Sequence, residues 1–101
     1  MSIELDRIVR THAGVLLVHV RGIYDDTESE FEWFLHTLET SSDRAIRIIH
    51  LTSGGHKKWL RKFKIYGSPA VLIFDNGSLM LRIHGRISIG LLTQLLEDRV
   101  L

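Results

Sequence analysis

Apolar residues alternate between two spacings along the chain, and the spacing divides it into helices and strands. Ile3, Leu5, Ile8 and Val9 recur at helical intervals, with Ser2 available as a cap and Ala13-Gly14 as the stop. Val15-Leu16-Leu17-Val18-His19-Val20 is short, continuous and β-branched, the pattern of a strand buried on both faces. Polar residues from Arg21 to Glu28 follow, then Phe31, Phe34, Leu35 and Leu38 form an i, i+3, i+4, i+7 stripe. Thr27 stands three residues before Glu30, the spacing of a capping box.

Thr40-Ser41-Ser42-Asp43 breaks this second helix, and Ala45 to Leu51 predicts the next strand. Beyond the Thr52-Ser53-Gly54-Gly55 loop, His56 to Phe63 reads as a short basic helix with Trp59, Leu60 and Phe63 inward. Tyr66-Gly67-Ser68-Pro69 is a turn that holds the chain's single proline. Ala70 to Phe74 and Leu79 to His84 flank Asp75-Asn76-Gly77, a hairpin signal. Gly85 interrupts the second of these strands. Leu91, Leu92, Leu95 and Leu96 mark a last amphipathic helix, with Ser88 as its cap.

The predicted order is α-β-α-β-α-β-β-α, an α/β domain. Strands separated by helices imply right-handed parallel crossovers, and the hairpin adds an antiparallel edge. The expected fold is a mixed four-stranded sheet with helices on both faces. At 101 residues the chain makes one domain, 1–101, large enough for a hydrophobic core.

Composition narrows the chemistry. A formal net charge of +1 provides no general attraction to nucleic acid or anionic membrane, and neither is expected as a partner. Apolar runs such as Val15 to Val18 are far below the ~20 residues of a membrane-spanning helix. The opening MSIELDRIVR mixes acidic, basic and apolar residues, unlike a signal peptide, so a cytoplasmic protein is expected. The chain contains no cysteine, which removes disulfides, thiolate metal sites and thiol nucleophiles.

The stretch Phe63-Lys64-Ile65-Tyr66-Gly67-Ser68-Pro69-Ala70-Val71-Leu72-Ile73-Phe74, followed by Asn76-Gly77, Gly85, Ser88 and Gly90-x-Leu92, resembles the C-terminal half of thioredoxin in order and spacing. Leu17-Val18-His19-Val20 resembles that family's central strand, which leads to its C-x-x-C motif. The motif positions then fall on Asp25-Asp26-Thr27-Glu28, and the family's first strand is missing. The resemblance places the family's buried carboxylate at His19 and its buried lysine near His50. It implies a cis Pro69, whose neighbouring backbone at Gly67 and Ser68 pairs with extended peptides.

The residues offer several candidate sites. Asp25, Asp26 and Glu28 complement a helix dipole or form an acidic patch for a basic partner or cation. Of the six histidines, His19 and His50 are the pair that adjacent central strands would bring together. As core imidazoles they are expected to be neutral and hydrogen-bonded, and no metal or cofactor is assigned. Trp33 and Tyr24 are either interface anchors or peripheral core. Lys57, Lys58, Arg61, Lys62 and Lys64 form a solvated basic face suited to an acidic protein surface.

The function expected is that of a redox-inactive protein-binding, adaptor or chaperone-like module, not an enzyme. Its candidate partner-binding residues are Tyr24, Trp33, Gly67, Ser68 and Pro69. One alternative is a glutathione-dependent transferase using Tyr24 or Ser68. The other is a structural module that homodimerises through an open sheet edge.

Overall fold

The computed structural model describes residues 3–21, 28–41, 46–52, 54–67 and 69–99. The elements are α1 (Ile3–Thr11), β1 (Val15–Arg21), α2 (Glu28–Ser41), β2 (Ile46–Thr52), α3 (Lys57–Lys62), β3 (Ala70–Asp75), β4 (Ser78–His84) and α4 (Ile89–Arg99). This is the predicted order. Ser88 caps α4 as its position suggests, its Oγ accepting the Leu91 N–H at 3.1 Å.

The sheet order is β2-β1-β3-β4, with β1 and β2 parallel and β3 antiparallel to both β1 and β4. The expected parallel crossover is therefore found for β1-α2-β2 but not for β2-α3-β3. Length explains the difference. A parallel connection must carry the chain back along a strand of roughly 23 Å. The 14 residues of α2 supply about 21 Å, whereas the 6 of α3 supply only about 9 Å. The chain consequently enters β3 at the end of the sheet where β2 finished.

Alternation along β1 and β3 feeds two separate cores. Leu16, Val18, Val20, Leu72 and Phe74 pack with Leu5 of α1 and with Trp59 and Leu60 of α3. Val15, Leu17, Val71 and Ile73 pack on the opposite face with Leu35 of α2 and Leu92 and Leu96 of α4. Helices thus cover both faces, and the central strands are apolar on each side. One detail of the helical pattern is corrected. Leu91 is 49% exposed, because successive helical residues point about 100° apart and Leu92 takes the inward direction.

The Asp75-Asn76-Gly77 turn fastens the sheet to the corner between α1 and β1. Asn76 and Gly77 have φ of 50° and 87°, both in the left-handed region that a tight hairpin turn requires. The Asn76 N–H donates to the Gly14 carbonyl at 3.0 Å, and the Gly14 N–H donates to Asn76 Oδ1 at 2.9 Å. A Cβ at Gly77 would stand 3.3 Å from the Val9 carbonyl oxygen.

Candidate functional site

Parallel register sets His19 of β1 directly opposite His50 of β2. Both lie on the face covered by α2, continuing the lines Val15-Leu17-His19 and Ile46-Ile48-His50. Their Nδ1 atoms are 3.0 Å apart, so one donates and the other accepts. His19 is buried, and the Phe31 ring of α2 covers it with centroids 5.0 Å apart.

Burial pushes the His19 pKa down to about 4, helped by the electrostatic repulsion that a second proton on the His19–His50 pair would meet and by the charge of Arg21. His50 is also lowered, first by burial and then by Arg21, against the opposing pull of Glu32 and Glu39. Both imidazoles are therefore neutral at neutral pH, which suits a hydrogen bond between two ring nitrogens.

The third member of the cluster is Glu32. One turn into α2, it accepts an ion pair from Arg21, Nη2 to Oε1, at 3.0 Å. The ligating atoms of His19, Glu32 and His50 all lie within 4.8 Å of one another. Sequence reasoning found the two histidines and missed the carboxylate. The available signal was its place beside Phe31 and three residues before Leu35, on the margin of the buried stripe.

The other sequence candidates separate. Tyr24, Asp25, Asp26, Thr27 and Ser68 lie outside the described residues, and of Glu28 only the backbone, opening α2, is described. Pairing of Val20 with Ala70 puts the end of β1 beside the start of β3, at the Pro69 end of the sheet. The Pro69 carbonyl accepts the Gly85 N–H at 2.9 Å, and Gly67 is exposed with open space around its Cα. Trp33 is 70% exposed, on the outer side of α2, with its ring 6.0 Å from that of His36.

A cleft of about 200 Å³ lies beside the Pro69 turn. Lys57 and Arg61 provide its charge, Leu60 and Ile65 its apolar floor, and Tyr66 and Gly67 its rim. Tyr66 is 75% exposed. Lys62, the neighbour of Arg61, is instead paired with Asp6 at 2.7 Å. Tyr66 is the second residue that sequence reasoning left without a role, since a turn has no periodicity from which to read its direction.

No family model matches the chain, and no curated protein matches it by sequence. Solved structures do match. A mutant thioredoxin of Halobacterium salinarum superposes with TM-score 0.79 at 16% identity, over 97% of this chain and 84% of that one. Oxidised thioredoxin of Plasmodium falciparum gives 0.78 at 17% identity, over 97% and 91%. Trxlp of Edwardsiella tarda gives 0.75 at 19% identity, over 95% and 94%. The chain has the thioredoxin fold. It has no cysteine, so thiol–disulfide exchange has no sulfur to proceed through. Among the described residues, no helix is long and apolar enough to cross a membrane.

Proposed function

We propose that this thioredoxin-fold chain is a redox-inactive protein-binding module, an adaptor or chaperone-like subunit that docks an extended acidic segment of a partner. The observation that carries this reading is the cleft beside the Pro69 turn. There the exposed Tyr66 stands over an apolar floor with Lys57 and Arg61 alongside. An aromatic rim with cationic flanks is the chemistry that holds an acidic peptide: the ring supplies contact area and the charges speed and orient encounter. The resemblance to thioredoxin adds that backbone beside this proline pairs with extended chains, a mode that needs no thiol.

The test is an NMR titration of the ¹⁵N-labelled chain with a Glu- and Asp-rich peptide. Amide shifts are expected to concentrate between Lys57 and Gly67, and to weaken in Tyr66→Ala and in Arg61→Glu. Shifts confined to another part of the molecule, or none in excess peptide, would overturn the reading.

Homodimerisation is a second reading, favoured by the position of β2 at the edge of the sheet. Against it, the Glu39 carboxylate already accepts the outward Ile48 N–H at 2.8 Å. Sedimentation separates the two: a dimer that tightens in Glu39→Ala supports edge pairing, and a monomer at all concentrations removes it.

A further inference from the structure

We propose that His19, His50 and Glu32 form a binding site for a divalent transition-metal ion of the zinc class. The site rests on placement. Two neighbouring parallel strands present imidazoles in register with Nδ1 atoms 3.0 Å apart, and α2 brings a carboxylate to complete a group spanning 4.8 Å. Ligand atoms bound at about 2.0–2.2 Å around a tetrahedral ion stand roughly 3.3 Å from one another. The histidine nitrogens are already near that separation. Glu32, whose side chain is 28% exposed, closes the remaining gap by rotating its carboxylate.

The donor set selects the ion. Two imidazoles and one carboxylate suit zinc, cobalt, nickel or copper, whereas magnesium and calcium require shells of oxygen. Three protein ligands leave a fourth position for water on the side where Glu32 reaches solvent. Whichever imidazole carries its proton on Nδ1 transfers it to Nε2 through solvent, so both Nδ1 lone pairs face the ion and both rings stay neutral. Arg21 acts in two directions. Its guanidinium orients the carboxylate through the 3.0 Å contact with Oε1, and its charge opposes the cation. The strands fix the two nitrogens before any ion arrives, so little ordering is left for binding to accomplish. The cleft at Tyr66 shares no residue with this cluster, and the two proposals stand or fall separately.

The experiment is a Co²⁺ titration of the untagged, metal-free chain, followed by visible absorption and by competition with Zn²⁺. One equivalent is expected to raise the intense d–d bands of a tetrahedral ion, and Zn²⁺ to abolish them. His50→Ala should eliminate the bands, and Glu32→Gln should weaken binding by about tenfold or more. His36→Ala/His56→Ala, which alters histidines elsewhere on the chain, should bind as the parent does. Because a strand substitution can disturb the sheet, circular dichroism accompanies each variant. Glu32→Gln, on a helix and 28% exposed, decides the matter if His50→Ala does not fold. Absence of bands with metal in excess, affinity unchanged by Glu32→Gln, or binding lost in the His36/His56 variant would each overturn the site.

Discussion

The two faces of the sheet use alternate residues of the same strands, yet they treat polar groups differently. Under α1 and α3, Trp59, Phe63 and Phe74 pack edge to face, with centroids 4.8 Å apart for Trp59–Phe63 and 5.3 Å for Phe63–Phe74. The polar atom in that cluster, the Trp59 indole N–H, reaches outward to Asp6 Oδ1 at 2.9 Å. Under α2 and α4 the line of apolar residues on β1 ends in His19, the only buried polar side chain among the described residues. Its partner is another imidazole, not an outward-facing anchor. The first face uses its polar contact to tie two helices together. The second holds ionisable groups where burial disfavours their charge, an arrangement that lowers stability in acid and places reactive nitrogens at fixed positions.

Removing the aromatic packing is expected to do the most damage. Trp59 is fully buried, and Trp59→Ala should lower unfolding free energy by about 3–5 kcal/mol. Urea denaturation measures this directly; a loss below about 2 kcal/mol would contradict the packing described for that face.

Acid should act on the opposite face. The folded chain holds the His19 pKa at about 4, below the ordinary value of 6.5. Between those values the unfolded chain binds a proton that the folded chain refuses. Stability therefore falls as pH drops through that window, and is fully present above it. The loss attributable to His19 is at most about 3 kcal/mol. The lowered His50 acts in the same direction, with Arg21, Glu32 and Glu39 as the neighbouring charges. Between pH 6.5 and 4 the parent should lose more stability than His19→Leu, and above pH 6.5 the two denaturation profiles should run parallel. An equally steep acid slope in His19→Leu would assign the sensitivity elsewhere.

The two faces were also unequally legible in sequence. The short, β-branched runs at Val15–Val20 and Ala70–Phe74, bounded by glycine or proline, fit strands covered on both sides, and Asn76-Gly77 names its own turn. Helical stripes located α2 and α3 in the same way. Stripes do not fix rotation, however, and four leucines in α4 left open which of them turns outward; Leu91 does. Strand direction was hidden for a related reason: the presence of a helix before β3 says nothing, while its shortness decides the connection. His19 and His50 were legible as a pair because each sits at a matched position on neighbouring strands. Glu32 was not, because its role depends on the angle at which α2 crosses β1 and β2. No spacing within the helix records that angle.

The finest distinction lies within the Asp6 contact on the aromatic face. Asp6 Oδ1 accepts from both Trp59 Nε1 at 2.9 Å and Lys62 Nζ at 2.7 Å, and these bonds differ in worth. Lys62 is half-exposed and can return its charge to water, so its ion pair contributes little. The indole N–H belongs to a buried ring, and without Asp6 it must find water or remain unsatisfied. Asp6→Ala should therefore cost about 1–2 kcal/mol, and Lys62→Ala less than about 1 kcal/mol. The Asp6 carboxyl is held below its usual pKa, chiefly by the hydrogen bond from Lys62. Its contribution is accordingly present above the ordinary carboxylate range and lost as pH falls below it. Paired urea curves at neutral pH test the order. Equal losses in the two variants would mean that the ion pair, not the buried indole, is what Asp6 serves.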